Sequence, residues 1–487
     1  MRFFNIMMSG TVLMSSMASA GFFVQLKTPA TLEKLLAQDD SLKASSHVRP
    51  FIQKVFSFGD FEGFSGNFSK LMVRRLIKND LVKNIVRDTT VNVFGTISHD
   101  YREVSDTELT TFQADPWDGF GTQTMAPRHL ASLSRQGSLP FNETVNYYYD
   151  PKHQGQDVTV YVIDTGVFKD HPEFGGRVLE QKTFVGGDVG DNNGHGTHVA
   201  GVVASRTFGV AKKANIVDLK VLDPRGSGSL TNVLAAIEYA CKRRAESNTK
   251  GIINLSLGSL KNNVLNAAIE AASHSGMVIV AAAGNFASDS CRASPASAEG
   301  VISVGAFDDK TDEMASFTNH GPCIDVLASG VDVFSVSHNE LEIPAVMSGT
   351  SMSAPAISGL AAVLLSQGVE PREIKGKLIE YSRCNRIKNT IHKTPNRAAF
   401  NGVNRDDDEY PQSSMYNPSI HGIQAQPVYS KVEGQSQDNM SSDTVFAASE
   451  DSDSDRDDIP QEFDVPDGQY LYRREQPAGS SSKLIWV

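Results

Sequence analysis

The sequence predicts an α/β protein: a doubly wound, mostly parallel sheet with helices on both faces, preceded by a small α+β unit. Short runs at 158–164 (VTVYVID), 214–221 (ANIVDLKV), 251–257 (GIINLSL), 277–283 (MVIVAAA) and 301–306 (VISVGA) are β-branched and apolar on both faces, as buried parallel strands are. Amphipathic stretches such as LTNVLAAIEYACKRRAE and VLNAAIEAASHSG separate them, and strand–helix alternation calls for a parallel sheet covered on both sides. A polar, loop-like stretch at about 103–122 divides this region from what precedes it.

A chain of 487 residues with 40% hydrophobic content has room for more than one unit. Residues 1–20 join Arg2, an apolar run and a small-residue Ala18-Ser19-Ala20 ending, the pattern of a secretory signal peptide. Within 21–122, GFFVQLKTPATLEKLLAQDDSL reads as a strand and a short helix, and residues 68–97 repeat the idea. The α/β domain then occupies 123–403. The tail, 404–487, carries 17 acidic against 6 basic side chains, so it holds −11 of the chain's net charge of −12. Rich in Asp, Ser, Pro and Gln, it buries too little apolar area to offset the entropy of ordering and reads as disordered. The rest is nearly neutral, which argues against nucleic acid as a partner. Nothing after residue 20 approaches the length of a membrane span.

Several motifs fall where strands end and helices begin, the edge at which open parallel sheets bind ligands. YVIDTGV sets Asp164 at the end of an apolar strand, where a lone carboxylate is costly without a partner. NNGHGTHVAG places His195 at the opening of a helix. His195 with His198 lacks the third ligand and the spacing of a zinc site, so a general base oriented by a carboxylate is the better reading. VAAAGNFAS offers Asn285, whose amide can donate to a carbonyl oxygen that becomes negative. GTSMSAP puts Ser351 at the N-terminal end of a long helix, with Gly349 leaving room for a substrate. The order acid, base, serine along the chain is one of the known orders of a Ser-His-Asp triad.

With these motifs, residues from about 125 to 403 resemble the subtilisin-like serine endopeptidases, in particular their proteinase K-like branch of fungal vacuolar and secreted enzymes. MAPRHLASLS, GVAKKANIVDLKVL, NLSLGS, SPAS and TPNRAAFNG carry the same resemblance. It implies a triad of Asp164, His195 and Ser351, with Asn285 in the oxyanion hole. Ser256, Leu257 and Gly258, with Ala282, Ala283 and Gly284, would wall the main specificity pocket. The NLSLG stretch and the strand around Gly228 would pair with the backbone of an extended polypeptide substrate, and the small apolar character of the pocket walls implies a broad preference for apolar or aromatic side chains. His198 is expected to be structural.

Residues 21–122 resemble, more weakly, the ferredoxin-like inhibitory propeptide of such enzymes, which assists folding and blocks the cleft. Self-cleavage is expected between 112 and 125. The resemblance also implies a disulfide between Cys291 and Cys323, leaves Cys241 and Cys384 undecided, and offers Asp325 as a ligand of a structural calcium; catalysis itself needs no cofactor. Ala356, Ser259 and the DVLASG turn depart from the family's usual residues. Asn67, Asn142 and Asn439 begin glycosylation sequons, as does Asn254 in a strand expected to be buried. The chain reads as a monomeric endopeptidase of the secretory pathway, bound for the cell exterior, the cell surface or the vacuole. The competing reading is a catalytically silent surface or wall protein that binds through its acidic tail.

Overall fold

The computed structural model describes residues 21–38, 48–93, 96–97, 112–114, 120–140, 145–341, 343–403, 471–473 and 484–486; the expected signal segment and all but two short strands of the expected tail lie outside them. The first unit runs β1 (Phe22–Leu26), α1 (Leu32–Gln38), β2 (Ile52–Phe58), β3 (Phe61–Gly66), α2 (Lys70–Lys78) and β4 (Val82–Arg87). Its strands pair antiparallel in the order β2-β3-β1-β4. The Ser69 hydroxyl caps α2 by accepting the Met72 N–H, and Val73 and Leu76 turn one side of that helix inward. Alternation along β1 divides two cores: Val24 and Leu26 pack with Leu35, Phe64 and Leu76, while Phe23 faces the opposite way. Two short strands follow, β5 (Thr90–Val93) and β6 (Thr96–Ile97).

The larger unit contains β7 (Val158–Asp164), β8 (Val178–Thr183), α3 (His195–Ala204), β9 (Asn215–Lys220), β10 (Ser227–Ser229), α4 (Leu230–Ser247), β11 (Lys250–Leu255), β12 (Leu257–Leu260), α5 (Asn263–His274), β13 (Val278–Ala282), β14 (Val301–Asp308), β15 (Val326–Ser329), β16 (Ala345–Ser348) and α6 (Thr350–Ser366). Seven of these strands lie parallel in the order β8-β9-β7-β11-β13-β14-β15. From β7 the chain winds first to one side and then, at β11, to the other, which opens a crevice at the strand ends. Every residue of β7 is buried because both faces are covered. Val160 and Val162 pack with Val199, Val202, Ile357 and Leu360 of α3 and α6. Tyr161 and Ile163 pack with Leu234, Ile237 and Ile269 of α4 and α5. Among the described residues no helix is long and apolar enough to cross a membrane.

Phe23, Phe56 and Phe61 of the first unit join this second core, so its sheet rests on α4 and α5. Polar contacts fix the seat. Asp88 Oδ1 accepts the Thr231 N–H at 2.9 Å and Thr89 O accepts the Leu230 N–H, satisfying the start of α4, and Glu238 accepts the Ser57 N–H at 3.1 Å.

Two regions differ from the sequence reading. The run 251–257 breaks at Ser256, so that Leu255 ends one strand and Leu257 begins another in a different sheet. Strands β8 and β15 carry no signal in the pattern of apolar runs: β8 is a polar edge strand and β15 spans only four residues.

The Arg386 guanidinium is buried against Asp312 at 3.1 Å, and the Ser138 hydroxyl also donates to that carboxylate. D312N keeps the shape and removes the counter-charge, so it should cost about 3–5 kcal/mol in denaturant unfolding. Arg225→Ala, in an exposed pair, should leave the midpoint in place.

Candidate active site

Asp164 and His195 come from the end of β7 and the first residue of α3. Asp164 is fully buried, and its Oδ1 accepts the Thr165 N–H at 2.7 Å and lies 2.7 Å from His195 Nδ1. An ionised carboxylate only accepts, so Nδ1 carries the proton and Nε2 of the neutral ring presents a lone pair. That Nε2 is buried and has no hydrogen-bond partner among the described residues. The approach of the two loops depends on glycine. A Cβ at Gly196 would stand 2.2 Å from Gly166 O, and one at Gly166, where φ is +116°, would stand 2.2 Å from Gly190 O.

Ser351 is the second residue of α6, which packs against α3. Its hydroxyl donates to Ser256 O at 3.1 Å and makes no hydrogen bond with His195 in this structure. Pro355 explains why Ser256 stands here. Lacking an N–H, Pro355 leaves Ser351 O without its helical donor, and the Ser256 hydroxyl supplies one at 2.9 Å. Ser256 thus bonds to both ends of residue 351, and it does so from the break between β11 and β12.

Asn285 Oδ1 accepts the Thr350 N–H at 2.9 Å and the Thr350 hydroxyl at 2.8 Å, turning Nδ2 away from Thr350. Its loop is held by Asn319, whose Nδ2 donates to Ala283 O and whose Oδ1 accepts the N–H groups of Phe286 and Ser288. Leu255 pairs with Ala281, so Ser256–Gly258 and Ala282–Gly284 leave adjacent parallel strands side by side. Sequence reasoning missed Thr350 and Asn319; the first lies inside the GTSMSAP motif, but the FTNHGP stretch around the second reads only as a turn.

The groove between β10 and β12 holds a strand of the same chain. Strand β5 pairs antiparallel with both neighbours, Val91 with Gly228 on one side and Asn92 with Gly258 on the other, and Val93 lies opposite Leu257. Val91 is fully buried there. Strand β6 then pairs with β16 just before Ser351, Thr96 with Ser348.

His198 is structural. It bonds Val333 O at 2.9 Å, and burial pushes its pKa down to about 3, which keeps it neutral. Cys291 and Cys323 form a disulfide, while Cys241 is a buried and Cys384 an exposed free thiol. Asn254 is fully buried and bonded to Ser256 and Ser358, out of reach of glycosylation.

Asp325 requires a correction. Lys375 Nζ lies 2.9 Å from its Oδ1 and donates to Val301 O at 2.9 Å, while Oδ2 accepts the Ser303 N–H. An ammonium already gathers these oxygens, whereas calcium takes about 6–8 of them. No metal-binding group of acidic, His or Cys side chains occurs among the described residues. The donor set does not fit the expected calcium.

Comparison with known proteins agrees with this geometry. Residues 155–410, which contain Asp164, His195, Asn285 and Ser351, match the model of the subtilase family. The chain is 39% identical to the subtilase-type proteinase RRT12 of Saccharomyces cerevisiae over 82% of this chain and 86% of that protein. It is 36% identical to cerevisin of the same yeast, over 73% of this chain and 55% of cerevisin. The crystal structure of a cold-adapted subtilisin-like serine proteinase superimposes with a TM-score of 0.52 at 34% identity, covering 57% of this chain and 99% of that one.

Filling of the Asp325 position by Lys375 predicts that a chelator or added calcium leaves the thermal midpoint unchanged. Lys375→Met should lower the midpoint by uncovering the carboxylate; a scanning melt reads both.

Proposed function

Because the chain belongs to the subtilase family and is a serine endopeptidase, we propose that its acyl transfer runs on Asp164, His195 and Ser351. The carrying observation is the buried 2.7 Å contact between Asp164 and His195 Nδ1, which leaves Nε2 as the base. Rotation of the Ser351 side chain from Ser256 O toward Nε2 readies the nucleophile. Its Oγ attacks the substrate carbonyl carbon as Nε2 takes the hydroxyl proton, and Asp164 stabilises the imidazolium. The developing oxyanion is met by Asn285 Nδ2 and the Ser351 N–H at the dipole end of α6. His195 then protonates the leaving amine, and water releases the acyl group by the same route reversed. Subtilases need no cofactor for this chemistry.

The substrates are polypeptides lying as an added strand between β10 and β12. Apolar and small walls at Leu257, Ala282, Ala283 and Gly284 favour apolar or aromatic side chains. Placement of β5 in this groove supports a precursor blocked by its own N-terminal unit, and the signal-like first twenty residues support a route through the secretory pathway to the exterior or the vacuole. The two paired segments β5 and β6 are separated in sequence by Phe94 and Gly95 alone. That register favours a first cut inside this dipeptide, ahead of the 112–125 window expected from loop composition.

Ser351→Ala should abolish both fluorophosphonate labelling and release of the N-terminal unit, read on a gel. Equal processing of mutant and wild type, with neither labelled, would favour the silent binding protein. N-terminal sequencing of the released enzyme separates the two cleavage windows. Asn285→Ala should lower kcat by about 10²- to 10³-fold, the effect found for such a donor in subtilisin, with little change in KM.

A further inference from the structure

Lys220 ends β9 directly beside Asp164, with which it is in register. Its side chain is only 2% exposed, yet it forms no ion pair among the described residues. Nζ instead donates to Thr165 O at 2.6 Å and to Gly190 O at 2.9 Å. Burying an ammonium without a direct counter-ion costs several kcal/mol. The two carbonyls it joins explain why it is there.

Thr165 follows Asp164, and Gly190 opens the turn that leads to His195. Two carbonyl oxygens aimed at one point repel each other, and the ammonium between them makes their convergence favourable. A second tie runs parallel to the first. Asp191, next to Gly190, accepts the Thr165 hydroxyl on Oδ1 together with the N–H groups of Asn193 and Gly194, and accepts the N–H and hydroxyl of Thr197 on Oδ2. The Thr165 hydroxyl in turn accepts the Gly196 N–H at 2.9 Å. These bonds link the loop after the acid to the loop before the base, and Lys220 anchors both to the sheet.

We propose that Lys220 is a positioning residue for acyl transfer, its buried ammonium fixing the separation of Asp164 and His195 by gathering the carbonyls of Thr165 and Gly190. This role rests on the triad reading above. It predicts that losing the ammonium lets the two loops part by up to about 1 Å, lengthening the acid–base contact without altering the groove at β10 and β12.

The test is Lys220→Met in the full chain, matured, with active sites counted by fluorophosphonate labelling and kcat and KM measured per labelled site. Both kcat and the labelling rate should fall together by about 10- to 100-fold, the scale of a misplacement near 1 Å, while KM stays within about twofold. D312N serves as the comparison: the Asp312 carboxylate bonds to Arg386 and Ser138 and to none of Asp164, His195, Asn285 or Ser351, so the variant should lose stability and keep its kcat per labelled site. If Lys220→Met lowers the melting midpoint but keeps kcat per labelled site, the ammonium is structural only and the proposal is overturned. Should Lys220→Met not fold, Lys220→Gln, which retains a donor but no charge, is read by the same criterion. Failure of wild type to label would defeat the triad reading and not this one in particular.

Discussion

One hydrogen bond organises the molecule: the contact between Asp164 and His195 inside a closed core. A carboxylate with no exposure would be expensive alone, and an imidazole beside it could adopt either tautomer. Paired, each removes the other's ambiguity, because the acid can only accept and so assigns the ring proton to Nδ1. Everything around them serves this pairing. The parallel sheet delivers Asp164 at a strand end, the helix beginning at His195 starts on a glycine-rich turn, and Gly166 and Gly196 let the two backbones approach where any side chain would collide.

The serine is set by a different constraint. Pro355 inside α6 deprives Ser351 O of its helical partner, and the Ser256 hydroxyl replaces it from the point where β11 gives way to β12. The wall of the groove and the start of α6 are therefore one hydrogen-bonded unit. With β5 lying between β10 and β12, the Ser351 hydroxyl rests on Ser256 O. The hydroxyl points away from the imidazole while a strand of the same chain fills the groove.

Much of this is legible in the chain because burial on both faces forces continuous apolar runs, as at 158–164 and 301–306. The chemical residues are legible because each sits in a short motif at a strand or helix end. What stays hidden are residues whose importance is relational. Lys220 reads as one polar residue at the end of a buried strand, Asp191 as part of a loop, and Asn319 as a turn; only folding shows that they tie together the loops that carry Asp164, His195 and Asn285. Asp325 misleads for the same reason, since nothing near it in sequence announces that Lys375, fifty residues on, will fill its oxygens. Edge strand β8 escapes because an edge position tolerates polar side chains.

The most direct measurement is a crystal structure of the matured chain after the N-terminal unit has left the groove. A working triad puts Ser351 Oγ within about 2.6–3.2 Å of His195 Nε2, with Asp164 still on Nδ1. A vacated groove in which Oγ remains on Ser256 O and Nε2 lies beyond its reach would contradict the assignment of His195 as the base.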